Sequence, residues 1–191
     1  MPADLPLLEF ADREAWSAWL AEHCDSSPGV WLKLARKDVG GRSVTYAEAL
    51  DVALCHGWID GQNGAVDERH WRQRFTPRGP RSRWSKRNRG LAEALIASGQ
   101  MTPSGLREVE AARADGRWEA AYDSSATAEV PPDLQAALDA DPAAREFFAG
   151  LDRANRYAIL YRLQEARRPE TRARRLEKFL GMLREGRRIH E

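Results

Sequence analysis

The sequence predicts an α+β fold, with a small antiparallel sheet packed with helices and a helical C-terminal module behind it. Three observations carry that expectation. Residues 30–35, VWLKLA, form a short apolar run bounded on both sides by turn-forming residues, which reads as a strand. Residues 58–66 and 69–76 read as a second pair of extended segments joined by a bend at Asp67 and Glu68. From residue 133 onward the apolar positions recur at helical spacing throughout.

The chain begins with an apolar segment, LPLLEF, over residues 5–10. Asp12 is placed to cap a helix whose Trp16, Trp19 and Leu20 share a face, and Ser26, Ser27, Pro28 and Gly29 stop it. After the strand at 30–35, residues 38–41 read as a turn. Thr45 with Glu48 three residues later is a capping box for the helix TYAEALDVALC, which is expected to bury Tyr46, Ala47, Leu50 and Leu54.

In the hairpin, Gly57, Gly61 and Gly64 are poor strand residues, and glycine inside a strand often marks a bulge or a close approach. With an even number of loop residues, Asp60 and Gln62 share a face with Trp71, Gln73 and Phe75, while Ile59 joins His70, Arg72 and Arg74 on the other. A slip of one residue reverses the pairing, because side chains alternate with a period of two.

Pro77, Gly79 and Pro80 impose an irregular basic loop before Ser82, which is expected to cap a helix through Trp84, Leu91, Leu95 and Ile96, closed by Gly99. Thr102 and Pro103 start another helix, carrying Leu106 and Val109 and stopped by Gly116, with Trp118 and Tyr122 anchoring its end. The small, polar, proline-containing stretch DSSATAEVPP at 123–132 is expected to be a linker between an α+β domain, 1–122, and a helical module, 133–191. Helices are predicted over 133–138, 142–149, 152–166 and 169–185. Leu176, Phe179, Leu180 and Leu183 form a stripe that meets Phe147, Phe148, Leu151, Ile159, Leu160 and Leu163, and the polar tail from Gly186 is expected to fray.

The formal net charge of +1 conceals an uneven distribution. Residues 101–149 hold 4 basic and 10 acidic groups, whereas residues 150–191 hold 12 and 6. Two cysteines, Cys24 and Cys55, behind no secretory hydrophobic segment, point to free thiols in a reducing cytoplasm. No apolar run approaches the roughly 18–20 residues that span a bilayer, so the expectation is a soluble cytoplasmic protein with no membrane partner.

Several motifs, in order, resemble a known family. ALCHGWIDGQ, QRFTPR, SRWSKRN, GQMTPSGL and DGRWEAAY, followed by RANRYAILYRLQEARRPETRARRLEKFLGML, look like the YdeI/OmpD-associated family, also labelled bacteriocin-protection proteins. The resemblance implies an α+β N-terminal part of the kind found in frataxin-like bacterial proteins and a short helical C-terminal module. It implies no reaction, cofactor or catalytic residue.

The chemistry must therefore be read from the residues. From Arg69 to Arg89 the chain is free of acidic residues and carries nine basic ones, eight Arg and Lys86. Guanidinium forks bind phosphate and carboxylate, and indoles among them can stack a planar ligand. The expected function is the binding of a small anionic ligand that can be aromatic. Arg74, Arg78 and Lys86 would supply charge, Trp58 and Trp84 a stacking wall, and His56, Asp60 and Gln62 orientation. Ser85, at the expected helix start, would offer backbone N–H groups.

The bland alternative is a solvated basic loop whose arginines pair with the acidic stretch while the tryptophans sit in the core. A hydrolase or transferase could use His56 as base, oriented by Asp60, against which stands a histidine that simply caps a helix. Nucleic-acid binding is a further alternative, through the basic hairpin and a second surface at Arg167, Arg168, Arg172, Arg174, Arg175 and Lys178. His23, Cys24, Cys55, His56, Asp60 and His70 do not fall into the short paired spacings of a structural zinc site, so neither a metal nor another cofactor is expected.

Overall fold

The computed structural model describes residues 5–37 and 43–191. The turn expected at 38–41 lies outside the described residues. The chain divides into two compact units, Met1–Trp84 with Asn88–Ala121, and Ser85–Arg87 with Tyr122–Glu191. Residues 123–132 fall within the second.

The first unit is α+β. Asp12 accepts the Ala15 N–H at 2.9 Å and so starts α1 (Arg13–His23). Thr45 and Glu48 form the full capping box of α2 (Tyr46–Cys55). Both helices pack on one face of a four-stranded sheet made of β1 (Leu7–Glu9), β2 (Val30–Ala35), β3 (Trp58–Ala65) and β4 (His70–Pro77), in the order β1-β2-β4-β3. The sheet is mixed rather than wholly antiparallel, because the apolar opening segment adds β1 parallel to β2.

Alternation along β2 explains the two faces. Val30, Leu32 and Leu34 are buried against Trp16, Leu20, Leu50 and Leu54, while Trp31, Lys33 and Ala35 turn the other way. In β4 the partners follow the same parity, with Phe75, Gln73 and Trp71 inward and Arg74, Arg72 and His70 outward. α2 buries Ala49, Val52, Ala53 and Cys55 beside Leu50 and Leu54, while Tyr46 is half-buried and Ala47 exposed, a correction to the expected buried set.

The β3–β4 hairpin contains both expected registers. Near the turn, Ala65 opposes Trp71 and Asn63 opposes Gln73; beyond a bulge, Asp60 opposes Phe75 and Trp58 opposes Pro77. The extra residue shifts the phase by one, so Asp60 faces inward with Phe75 while Gln62 joins Arg74 on the outer face. The Gln73 amide, itself buried, donates to the bulge carbonyls of Gly61 (2.8 Å) and Gln62 (3.2 Å).

α3 begins at Lys86 and ends at Ala97, later than expected: Ser82 accepts the Gly79 N–H at 2.9 Å and closes a turn instead of capping a helix. α4 (Pro103–Ala114) starts at Thr102 as the sequence predicts. Its Gly105 lies so close to the end of α2 that a Cβ there would stand 2.3 Å from the Cys55 carbonyl oxygen.

The second unit contains α5 (Pro132–Asp139), α6 (Pro142–Ala149), α7 (Arg153–Gln164) and α8 (Pro169–Arg184). Its core joins Leu134, Leu138, Phe148, Ile159, Leu163, Phe179 and Leu183. Near its end the tail expected to fray is tied back to α7 by hydrogen bonds. Asn155, 3 % exposed, accepts the Ile189 and His190 N–H groups at 2.9 and 2.8 Å and donates to Asp152 and the His190 carbonyl. No helix among the described residues is long and apolar enough to cross a membrane.

Candidate functional site

The residues singled out by the sequence separate into four environments. Trp58 is fully buried, donates its indole N–H to the Cys24 carbonyl at 3.0 Å and meets Trp16 and Trp19 edge-on. Trp84 is equally enclosed, its ring 4.8 Å from that of Trp118. Neither indole offers a face to a ligand, so the expected stacking wall is a pair of core residues. Arg78 goes with them: its guanidinium lies 3.5 Å over the Trp84 ring, donates to the Arg83 carbonyl and is 6 % exposed. It holds the loop to the core.

His56 is the C-cap of α2, its backbone N–H reaching the Val52 and Ala53 carbonyls. Burial pushes its imidazole below the ordinary value, against a weaker upward pull from Asp25. No hydrogen bond joins the ring to Asp60, whose carboxylate instead accepts the Tyr46 hydroxyl at 2.7 Å. The oriented base that catalysis would need is therefore not assembled by this pair. Nor do three His, Cys, Asp or Glu side chains gather as a metal site among the described residues. His23 stacks on Trp19, His70 bonds Asp67, and Cys24 and Cys55 are free thiols, the latter pushed up by burial.

Ser85 and Lys86 belong to the second unit. Ser85 bridges to Tyr122, the Lys86 N–H donates to the Tyr122 carbonyl at 2.8 Å, and the Lys86 ammonium pairs with Asp123 at 2.7 Å. The helix start is thus not a set of free donors. A cavity of about 380 Å³ lined by Lys86, Asp123, Gln164 and Arg172 opens there, but Arg172 is spent in a two-pronged bond to Asp133 at 2.6 and 2.8 Å. Both cations of that cavity are already neutralised.

Two places in the first unit combine aromatic surface with cations that have no carboxylate partner among the described residues. The first is a cavity of about 530 Å³ where β2 ends, β4 begins and α2 starts. Tyr46 and Trp71, rings 5.9 Å apart, form its wall with Val44 and Ala47, and Arg36 and Lys37 stand at its rim. Among the described residues no carboxylate pairs with either cation. The Tyr46–Asp60 bond fixes the phenol ring, which is how Asp60 reaches this site. The second is the outer sheet face, where Arg74 and Gln62 meet at 3.0 Å and Arg72 lies 4.5 Å over the Trp31 ring.

Sequence reasoning did not single out Trp31, Tyr46, Arg36 or Lys37 as site residues; Trp71 was named only as one of the indoles among the basic residues on which a planar ligand could stack. The signal for Trp31 was present in the alternation of VWLKLA, which sets Trp31 and Lys33 apart from the three inward aliphatics. Nothing local marks Tyr46 and Trp71 as neighbours, because they come from a helix start and a strand start joined only by tertiary packing.

An open four-stranded mixed sheet backed by two helices, with an all-helical second unit, defines an α+β protein. The chain belongs to the family described as Domain of unknown function (DUF8412), whose model matches residues 8–108, more than half its length. Residues 127–186 match the model of the family described as Bacteriocin-protection, YdeI or OmpD-Associated, the family that the motifs resemble. The closing motif of residues 153–183 lies in that second match, whereas ALCHGWIDGQ, QRFTPR, SRWSKRN and GQMTPSGL lie in the first. The chain has no match among curated proteins or among solved structures.

Proposed function

We propose that the first unit binds a small anionic ligand with a planar apolar body, in the cavity at the N-terminal end of α2. The observation that carries this reading is the meeting, in one concave site of about 530 Å³, of the Tyr46–Trp71 wall with Arg36 and Lys37. Small-molecule sites are typically concave, on the order of 300–1,000 Å³, mostly apolar and supplied with a few polar groups that fix orientation. Thr45, Tyr46 and Ala47 in the lining are the cap and first two residues of α2, so the positive end of its dipole adds to the field of the rim cations.

The test is thermal unfolding against a panel of benzoate, indole carboxylates, nucleoside monophosphates and inorganic phosphate. A ligand at about 100 times its Kd adds roughly 2.7 kcal/mol to the stability of the form that binds it. At least one aromatic anion should raise the midpoint, with inorganic phosphate doing less. Arg36→Ala with Lys37→Ala should abolish most of that rise. If nothing in the panel moves the midpoint, or the double variant responds like the parent, the reading is wrong.

A further inference from the structure

The geometry points to a second binding surface, independent of the cavity: the outer face of the sheet is a contact for single-stranded nucleic acid, centred on Trp31, Arg72 and Arg74. Outward positions of the four strands are exposed or half-buried whereas the inward positions of β2 are fully buried, and Leu7, opposite Trp31 in the register, is 47 % exposed. In the register Arg74 lies directly opposite Trp31, and Arg72 opposite Lys33. Lys33 is neutralised by Glu9 at 2.9 Å. Arg72 and Arg74 have no carboxylate partner among the described residues; Arg72 meets the Trp31 ring and Gly64, and Arg74 meets Gly61 and the neutral Gln62.

That combination selects the ligand. Two guanidinium groups with no carboxylate partner among the described residues, one of them layered on an indole, match a phosphodiester with a base beside it, since phosphate takes the edge of the fork and the base stacks on the layer that the Arg72 guanidinium and the Trp31 ring form. An open sheet face suits an extended strand, whose bases are splayed and free to stack, better than a small molecule, which needs enclosure. An acidic protein would satisfy the charges but would leave the indole unused.

The test is fluorescence anisotropy with a labelled oligothymidine of about 12 nucleotides, titrated over a range of salt from about 20 mM upward. Two phosphate contacts on a single strand predict a slope of log affinity against log salt near −1.4, about a 25-fold loss per tenfold rise in salt. Arg72→Ala and Arg74→Ala should each bring the slope about 0.7 closer to zero. Trp31→Ala should weaken binding by roughly tenfold or more with the slope unchanged, because stacking releases no counterions. Unfolding midpoints of the three variants close to the parent's would show that the face, not the fold, was altered. The proposal is overturned if no binding occurs at the lowest salt, if neither Arg variant changes the slope, or if poly-glutamate competes as well as the oligonucleotide and Trp31→Ala has no effect.

Discussion

Gly105→Ala tests whether the contact between α2 and α4 is as close as the structure has it. An alanine in a helix is normally worth up to about 1 kcal/mol over glycine, so propensity alone predicts stabilisation. Packing predicts the opposite. The new Cβ would lie 2.3 Å from the Cys55 carbonyl oxygen, 2.8 Å from its carbon and 2.4 Å from the Met101 sulfur. Ordinary contacts begin near 3.4 Å, so α4 must retreat by about an ångström and stretch the bonds that Thr102 makes to the same carbonyl. Overpacking of this kind costs typically about 1–3 kcal/mol, which outweighs the propensity gain.

The assay is favourable because all seven tryptophans lie in the first unit, so indole emission during urea unfolding reports that unit alone. A loss of about 2 kcal/mol lowers the midpoint by roughly 1 M at a typical slope. Gly90→Ala, in α3 with nothing within 4 Å of the added Cβ, is the matched control and should raise the midpoint. If Gly105→Ala is as stable as the parent or more so, the packing account of the α2–α4 contact is refuted.

Asn155→Ala removes four side-chain hydrogen bonds, three of them to the C-terminal tail and one to Asp152, and should cost the second unit about 2–4 kcal/mol and release the amides of Ile189 and His190 to rapid hydrogen exchange. His56 is held below its ordinary value by burial, so the unfolded chain takes up the proton first. Stability of the first unit should be full above about pH 6.5 and fall as the pH drops below it, by at most about 1.4 kcal/mol per pH unit, and His56→Gln should flatten that slope in indole-monitored unfolding. Asp133 is held below the usual carboxylate range chiefly by its bonds to Arg172. Its contribution should be present above about pH 4 and lost as the solution is acidified further, and Asp133→Asn should weaken that dependence in circular dichroism of the helical unit.

The elements were legible wherever a cap or an alternation stands in the sequence. Asp12, the Thr45–Glu48 box, Thr102 with Pro103, and the period of VWLKLA each place an element to within a residue or two. The candidate site was less legible for a physical reason. A dense basic and aromatic stretch says nothing about which side of the sheet each residue takes, and the parity of β3 changes midway. Trp58 and Trp84 went to the core because large apolar rings there bury the most surface, and Arg78 followed Trp84 by stacking on it. β1 was missed because a three-residue strand leaves no period to read.

The parity change in β3 has its own energetics, and Gln73→Leu measures them. Without the bulge, the register near the turn would continue and set Asp60 opposite Thr76 on the outer face, taking Trp58 out of the core with it. Burying a tryptophan removes about 150–250 Å² from water, worth roughly 4–6 kcal/mol at about 25 cal/mol per Å². The Gln73 bonds to the Gly61 and Gln62 carbonyls are worth about 1–3 kcal/mol together. Core burial should therefore hold the bulge after the amide is lost: the variant should be less stable by about that smaller amount, with native indole emission unchanged. A red-shifted native spectrum would mean that Trp58 had come out and that Gln73, not Trp58, sets the register. The Tyr46–Asp60 bond depends on that phase, because Asp60 faces inward only beyond the bulge, whereas the Arg74–Gln62 bond fits the register near the turn and would outlast its loss, so the extra residue serves the inner side of the sheet alone.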